Sequence, residues 1–311
     1  MVYLKTVGEK FSDPMNVKTL LPPPHKTSVL GIGVSRTNYR DATEFIIQNA
    51  KLRQSCTVAP TPVHGIMSGY LDRNHGRYLN QFTMVTPDGQ PVRWALNLLR
   101  QPGDMPLRDR VCGPVLTLHL CKRAAEENLS VFFYGSTEVV LEKLHGNLQR
   151  QFPNLKIAGT ISPPFRPLSD AEQAEYIDRI RDSGASIVFV GLGCPRQEKW
   201  AFEHRHQLDC PLICIGAAFD FHSGNLPVAP VWMQNAGLEW LFRLTQEPIR
   251  LWKRYLLLNP LYLMLLAAQI LGWLPGGESE EEGSRPERRR HDPNLGKRQL
   301  VSTSVDSGSR P

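Results

Sequence analysis

The chain has 311 residues, and several common signals are missing from it. The first 26 residues, "MVYLKTVGEKFSDPMNVKTLLPPPHK", contain no apolar core of the kind a secretory signal needs. The six cysteines, Cys56, Cys112, Cys121, Cys194, Cys210 and Cys214, form no CxxC pair. A structural zinc framework built on closely spaced pairs is therefore excluded, and buried thiols in a reducing cytoplasm are expected. A complete dinucleotide fingerprint is also missing. "GIGVSR" (31–36) and "GLGCPR" (191–196) both carry Arg where the third glycine would pack a helix over a pyrophosphate. No internal repeat is visible.

Hydrophobic residues make up 41% of the chain, which is ordinary for a folded protein. The net charge is +6 and the isoelectric point near 9.0, which suits an anionic partner such as nucleic acid, a membrane surface or a phosphorylated substrate. Short β-rich runs recur at 55–59, 82–86, 131–135, 155–159, 186–191 and 212–219. Amphipathic stretches at 113–129, 136–152 and 169–184 separate them, the last opening with a Ser169–Glu172 capping box. Strands alternating with helices predict an α/β fold with a mostly parallel sheet covered on both faces. Four segments are expected: a flexible leader (1–27), an α/β core (28–236), a basic then apolar helical appendage (237–274) and a charged, disordered tail (275–311).

In a parallel sheet the turns after the strands line the ligand crevice. Those turns hold Asp88 in "PDG", Gly135 and Ser136, Arg196, Gln197 and Glu198 in "LGCPRQE", and Asp220 in "DFHSG". Pro195 is expected at the first position of a helix whose amino end faces the crevice and suits a phosphate. Each residue also has a structural alternative: Asp88 as turn chemistry, Asp220 as a cap, His64 in "TPVHG" as a packed side chain.

The blocks "PDGQPVRW", "RVCGPVLTLHLCKRA", "VFFYGSTEVVLEKL", "VFVGLGCPRQEKW" and "PVWMQNAGLEWLFRLTQEPIR", in that order, closely resemble the WecG/TagA/CpsF glycosyltransferase family over about residues 50–258. The resemblance implies a Rossmann-like core. It also implies inverting transfer from a UDP-sugar, of the N-acetylmannosamine or glucose type, to a polyprenyl-diphosphate-linked acceptor. The products of such enzymes feed surface polysaccharides. No metal or other cofactor is implied, and in keeping with this the chain has no DxD motif; "RDR" at 108–110 holds a single Asp.

By the same resemblance Asp88 is the base, and Thr61, Arg110, Gln197 and Asp220 contact sugar, diphosphate or acceptor. Arg196 replaces the usual Lys. Val63 stands where many members have Asn, with His64 beside it, and this "T-x-VHG" block inclines the donor towards UDP-glucose. Arg243, Arg250 and Lys253 are placed on the donor diphosphate, with Arg254 on the same helical face as Arg243 and Arg250 if one helix runs through Pro248, which should kink or restart it. Residues 255–274 approach the length of a bilayer span but are interrupted by Asn259, Pro260 and Gln269, so attachment to the inner face of the cytoplasmic membrane is expected. Self-association fits the family. Two rivals are an idle scaffold of a polysaccharide assembly complex and a nucleic-acid binder. Binding to nucleic acid is not expected, because the ordered basic cluster adjoins an apolar run.

Overall fold

In the computed structural model, residues 21–274 are described. The expected leader up to residue 20, and the tail beyond 274, lie outside these residues. The chain enters through an antiparallel hairpin, β1 (Lys26–Val29) and β2 (Ile32–Ser35), which the sequence pattern did not reveal. Its turn places both Leu30 (φ 51°) and Gly31 (φ 80°) in the left-handed region, as a two-residue hairpin turn of this hand requires. "GIGVSR" is thus turn and strand, not a loop opening a helix.

Helix α1 (Tyr39–Lys51) is capped by the Asn38 side chain, which accepts from the Asp41 amide. There follow β3 (Thr57–Thr61), α2 (Val63–Leu71), α3 (Arg73–Gln81), β4 (Met84–Pro87), α4 (Gln90–Leu98) and α5 (Gly113–Glu126). The second half continues through β5 (Ser130–Gly135), α6 (Glu138–Gln151), β6 (Lys156–Ile161), α7 (Asp170–Asp182), β7 (Ile187–Gly191), α8 (Arg196–His204), β8 (Leu212–Cys214) and α9 (Gly216–Ser223). The Ser169–Glu172 capping box is formed at α7.

The six strands β3–β8 make one sheet in the order β4-β3-β8-β7-β5-β6, every pair parallel. Two apolar clusters cover its faces, and the period of two along each strand sorts side chains between them. Val131, Phe133, Ile187 and Phe189 point to one face, against Phe45, Leu116, Leu144 and Phe219. Phe132, Tyr134, Val188 and Val190 point to the other, with Leu79, Ile177 and Trp200. The expected α/β fold with a parallel, doubly covered sheet is observed.

The run 212–219 departs from its expected single strand: β8 ends at Cys214 and α9 begins at Gly216. Gly216 has its amide bonded to Gln197, which turns the chain early. Asp220 therefore sits within a helix instead of in a turn beyond a strand. Pro195 likewise falls one position before its expected place, as the N-cap of α8, where its missing N–H again removes no helix hydrogen bond.

The C-terminal helices are α10 (Val231–Asn235), α11 (Glu239–Gln246), α12 (Pro248–Lys253), a π turn over Arg254–Leu258, and α13 (Asn259–Ile270). Glu247 (φ −133°, ψ 59°) breaks α11 from α12, so one continuous helical register does not carry Arg243, Arg250 and Arg254 onto a shared face. Among the described residues no helix is long and apolar enough to cross a membrane. Instead α13 lies against the core: Tyr262 and Leu266 are buried, while Leu263, Met264, Ile270 and Leu271 are exposed. Gln269 fixes its end. The Leu30 amide donates to Gln269 Oε1 and Gln269 Nε2 donates to the Ser28 carbonyl, both at 2.9 Å.

Candidate active site

Several hollows lie along the carboxyl edge of the sheet, and two of them are lined by site residues expected from the sequence. The first, a cavity of about 160 Å³, is lined by His64, Asp88, Arg110, Glu239, Trp240 and Arg243 among others. Asp88 follows β4, its amide donating to the Thr61 carbonyl. Its Oδ2 accepts from the Gly113 amide at 3.4 Å, at the amino end of α5, where the helix field favours a negative charge. Burial pushes the Asp88 carboxyl up to about 6; Glu239 adds to the rise, while Arg110, the Gly113 amide and Arg243 oppose it. A carboxyl poised there is ionised at neutral pH yet basic enough to accept a proton from a hydroxyl.

Arg110 reaches the same hollow. Burial alone would disfavour its charge, but Cys112, Glu239 and Asp88 carry it above its ordinary range, so it stays a cation. It forms a close ion pair with Glu239 at the start of α11, and its Nη2 donates weakly to Gln234 Oε1 at 3.4 Å. Arg243 lies over the Phe221 ring, 5.6 Å from its centre. Asn259, which interrupts the apolar run in sequence, lines this hollow.

Ser136 and Arg196 belong to the second hollow, about 300 Å³, with Arg166, Lys199, Tyr134 and Trp200. Tyr134 stacks on Trp200 at 4.5 Å. Gly135 lies behind it: at φ 123° a Cβ would come within 2.5 Å of the Gly191 backbone, so only glycine permits this approach of β5 to β7.

Other residues expected at the wall are placed differently. Thr61 is buried, its hydroxyl donating to the Ala59 carbonyl at 2.9 Å, and it meets Asp88 only through its own carbonyl. Gln197 and Glu198 are 5% and 4% exposed, inside the protein and not on the crevice surface. Gln197 Oε1 accepts from Gly193 and Gly216 at 3.2 and 3.0 Å, and its Nε2 donates to Glu198 Oε1 at 2.8 Å. The amides so bonded belong to the loop before α8 and to the first residue of α9. Burial raises the Glu198 carboxyl.

Asp220, half-buried in α9, is raised by burial, with Arg250 and Arg243 opposing. Arg250 is exposed and pairs with Glu247 at 2.8 Å. Lys253 is exposed beside the Trp252 ring and does not line either hollow. The Arg254 side chain lies outside what is described. Glu239, the ion-pair partner of Arg110, was missed in sequence as a site residue. The "GLEW" block contained it, but only proximity in space shows its role.

The Glycosyl transferase WecG/TagA/CpsF family matches residues 27–274. The chain belongs to this family. Two relatives, from Bacillus spizizenii and Bacillus subtilis, are each named N-acetylglucosaminyldiphosphoundecaprenol N-acetyl-beta-D-mannosaminyltransferase. The first is 32% identical over 57% of this chain and 66% of its own length, and the second 31% identical over 60% and 69%. The match to the first thus spans just under two thirds of that relative. In WecG/TagA/CpsF terms, the Asp88 hollow takes in the "PDG" turn, the arginine that follows it and the "GLEW" helix.

Proposed function

We propose that the protein transfers one sugar from a UDP-sugar to a polyprenyl-diphosphate-linked acceptor, with inversion and without a metal at the reacting carbon. The observation that carries this is the pairing in one hollow of Asp88, raised to about 6, with the cations Arg110 and Arg243. Asp88 takes the proton of the acceptor hydroxyl as its oxygen bonds to the anomeric carbon from the face opposite the nucleotide. The bond from that carbon to the diphosphate oxygen breaks, and UDP leaves with the electron pair. Arg110 and Arg243 balance the charge that develops on the leaving diphosphate.

Substrate entry requires Arg110 to exchange its Glu239 partner for a diphosphate. The relatives' names favour N-acetylmannosamine as the sugar, with an N-acetylglucosaminyl-diphosphate lipid as acceptor. The "T-x-VHG" block favours glucose. The exposed apolar side of α13, with Leu256, Leu257 and Trp273 nearby, suits the inner surface of the cytoplasmic membrane, where a lipid-linked acceptor is met. Self-association is compatible with this placement.

The test uses purified protein, a synthetic lipid-diphosphate-linked N-acetylglucosamine, and radiolabelled UDP-N-acetylmannosamine and UDP-glucose in parallel, with EDTA added at the start of the assay. Transfer from one donor by the wild type, and its loss in Asp88→Asn, is the expected result. Equal transfer by Asp88→Asn would remove the aspartate from the role of base. No transfer from either donor to this acceptor would favour the scaffold.

A further inference from the structure

Away from the Asp88 hollow, the fold gathers three side chains of metal-ligand type that the transfer reaction does not use. His75 comes from α3, Cys194 from the loop after β7 and Glu198 from the first turn of α8. One ligand atom from each lies within 4.8 Å of the other two, and this is the one such group among the described residues. His75 Nε2 and Cys194 Sγ are 3.9 Å apart. A tetrahedral zinc ion, with Zn–S of about 2.3 Å and Zn–N of about 2.0 Å, sets those atoms about 3.5 Å apart, so a small rotamer adjustment closes the site.

The polar accounting at this spot is incomplete as it stands. His75 and Glu198 are 3% and 4% exposed, and Glu198 Oε2 is buried with no hydrogen-bond partner. The other Glu198 oxygen is held by Gln197, which fixes the carboxyl in place. That is the kind of outer hydrogen bond that orients a ligating carboxylate. The Cys194 side chain hydrogen-bonds the Glu198 carboxyl, and a divalent cation placed between them would balance the charge of a thiolate and a carboxylate together.

We propose that His75, Cys194 and Glu198 bind one zinc-class divalent cation, with Cys194, the part-exposed member, on the side where water completes the coordination. Binding displaces the thiol proton to solvent. The ion ties α3 to the Gly193–Pro195 loop, whose other anchor is Gln197, and so stiffens the turn between the two hollows. It touches no reacting atom, so a stabilising ion is consistent with metal-free transfer chemistry.

Cobalt(II) titration of the metal-stripped full-length protein tests this directly. One equivalent is expected to bind and give a thiolate-to-cobalt charge-transfer band that added zinc abolishes. Cys194→Ser should remove the band and His75→Gln should weaken binding at least tenfold, whereas Cys210→Ser, a buried cysteine elsewhere, should leave both unchanged. A second measurement needs no variant: zinc should protect Cys194 from maleimide, mapped by peptide mass. No band in folded wild-type protein, a band that survives Cys194→Ser, or equal alkylation of Cys194 with and without zinc would each overturn the proposal.

Discussion

The Asp88 turn after β4 and the Gln197–Glu198 start of α8 after β7 both follow the carboxyl end of a parallel strand, yet their polar groups are used differently. At the first, the carboxyl faces a cavity, with an amide and two arginines around it. At the second, the buried side-chain amide is consumed by two backbone N–H groups and a neighbouring carboxyl. A polar residue at a strand tip is thus either presented to a ligand or spent on shaping the turn. The difference lies in whether the neighbouring backbone already has partners.

The largest expected effect separates these roles. Replacing Asp88 by Asn should lower transfer by about 10²–10⁴-fold, the usual worth of a positioned base. It should also raise the melting temperature at pH 8. The folded pKa of about 6 lies above the ordinary 3.8, so the stability associated with this group is fully present below pH 3.8 and is lost as pH rises through 6. Asn removes that loss. Scanning calorimetry at pH 3.5, 5 and 8 checks the sign: the stabilisation should be smallest at the lowest pH and reach its full size at the highest.

Gln197→Ala should behave in the opposite way. It leaves the part-buried Gly193 and Gly216 amides without their partner, at about 1 kcal/mol for each hydrogen bond lost. Urea unfolding should show the loss. Wild-type stability together with weakened donor binding would instead place Gln197 on the sugar.

A smaller effect is expected from Gln269→Ala, which removes two hydrogen bonds worth roughly 1 kcal/mol each. Hydrogen exchange of the Leu30 amide should speed up while exchange in the central strands stays slow. Smallest is Glu239→Gln. Removing its negative charge should lower the Asp88 pKa, so the acid limb of the kcat/KM profile moves below about 6, measured between pH 4.5 and 8. A shift upward would show that the loss of Arg110's tether outweighs the charge.

Strand alternation made the six-stranded sheet legible, because Phe132 and Tyr134 against Val131 and Phe133 report two covered faces directly. The hairpin was less legible, since "VLGIGV" is nearly uniform in hydrophobicity and its turn places a leucine in the left-handed region. Asp88 and Arg110 could be found from local motifs and a family resemblance. Whether Gln197 faced inward or outward could not, because that depended on Gly216, 19 residues away. His75 gave no signal at all: its approach to Cys194 joins positions 119 residues apart.

The clasp between Gln269 and the Ser28–Leu30 turn joins two ends of the described chain, with about 240 residues between them. During synthesis the hairpin emerges early, but the side chain that satisfies its turn is made about 240 residues later. The left-handed leucine must wait, exposed and unclasped, while the whole sheet is translated. The fold is therefore completed at its beginning only when its end has been made, so a ribosome-bound chain stopped before α13 should carry a frayed first hairpin on an otherwise assembled sheet.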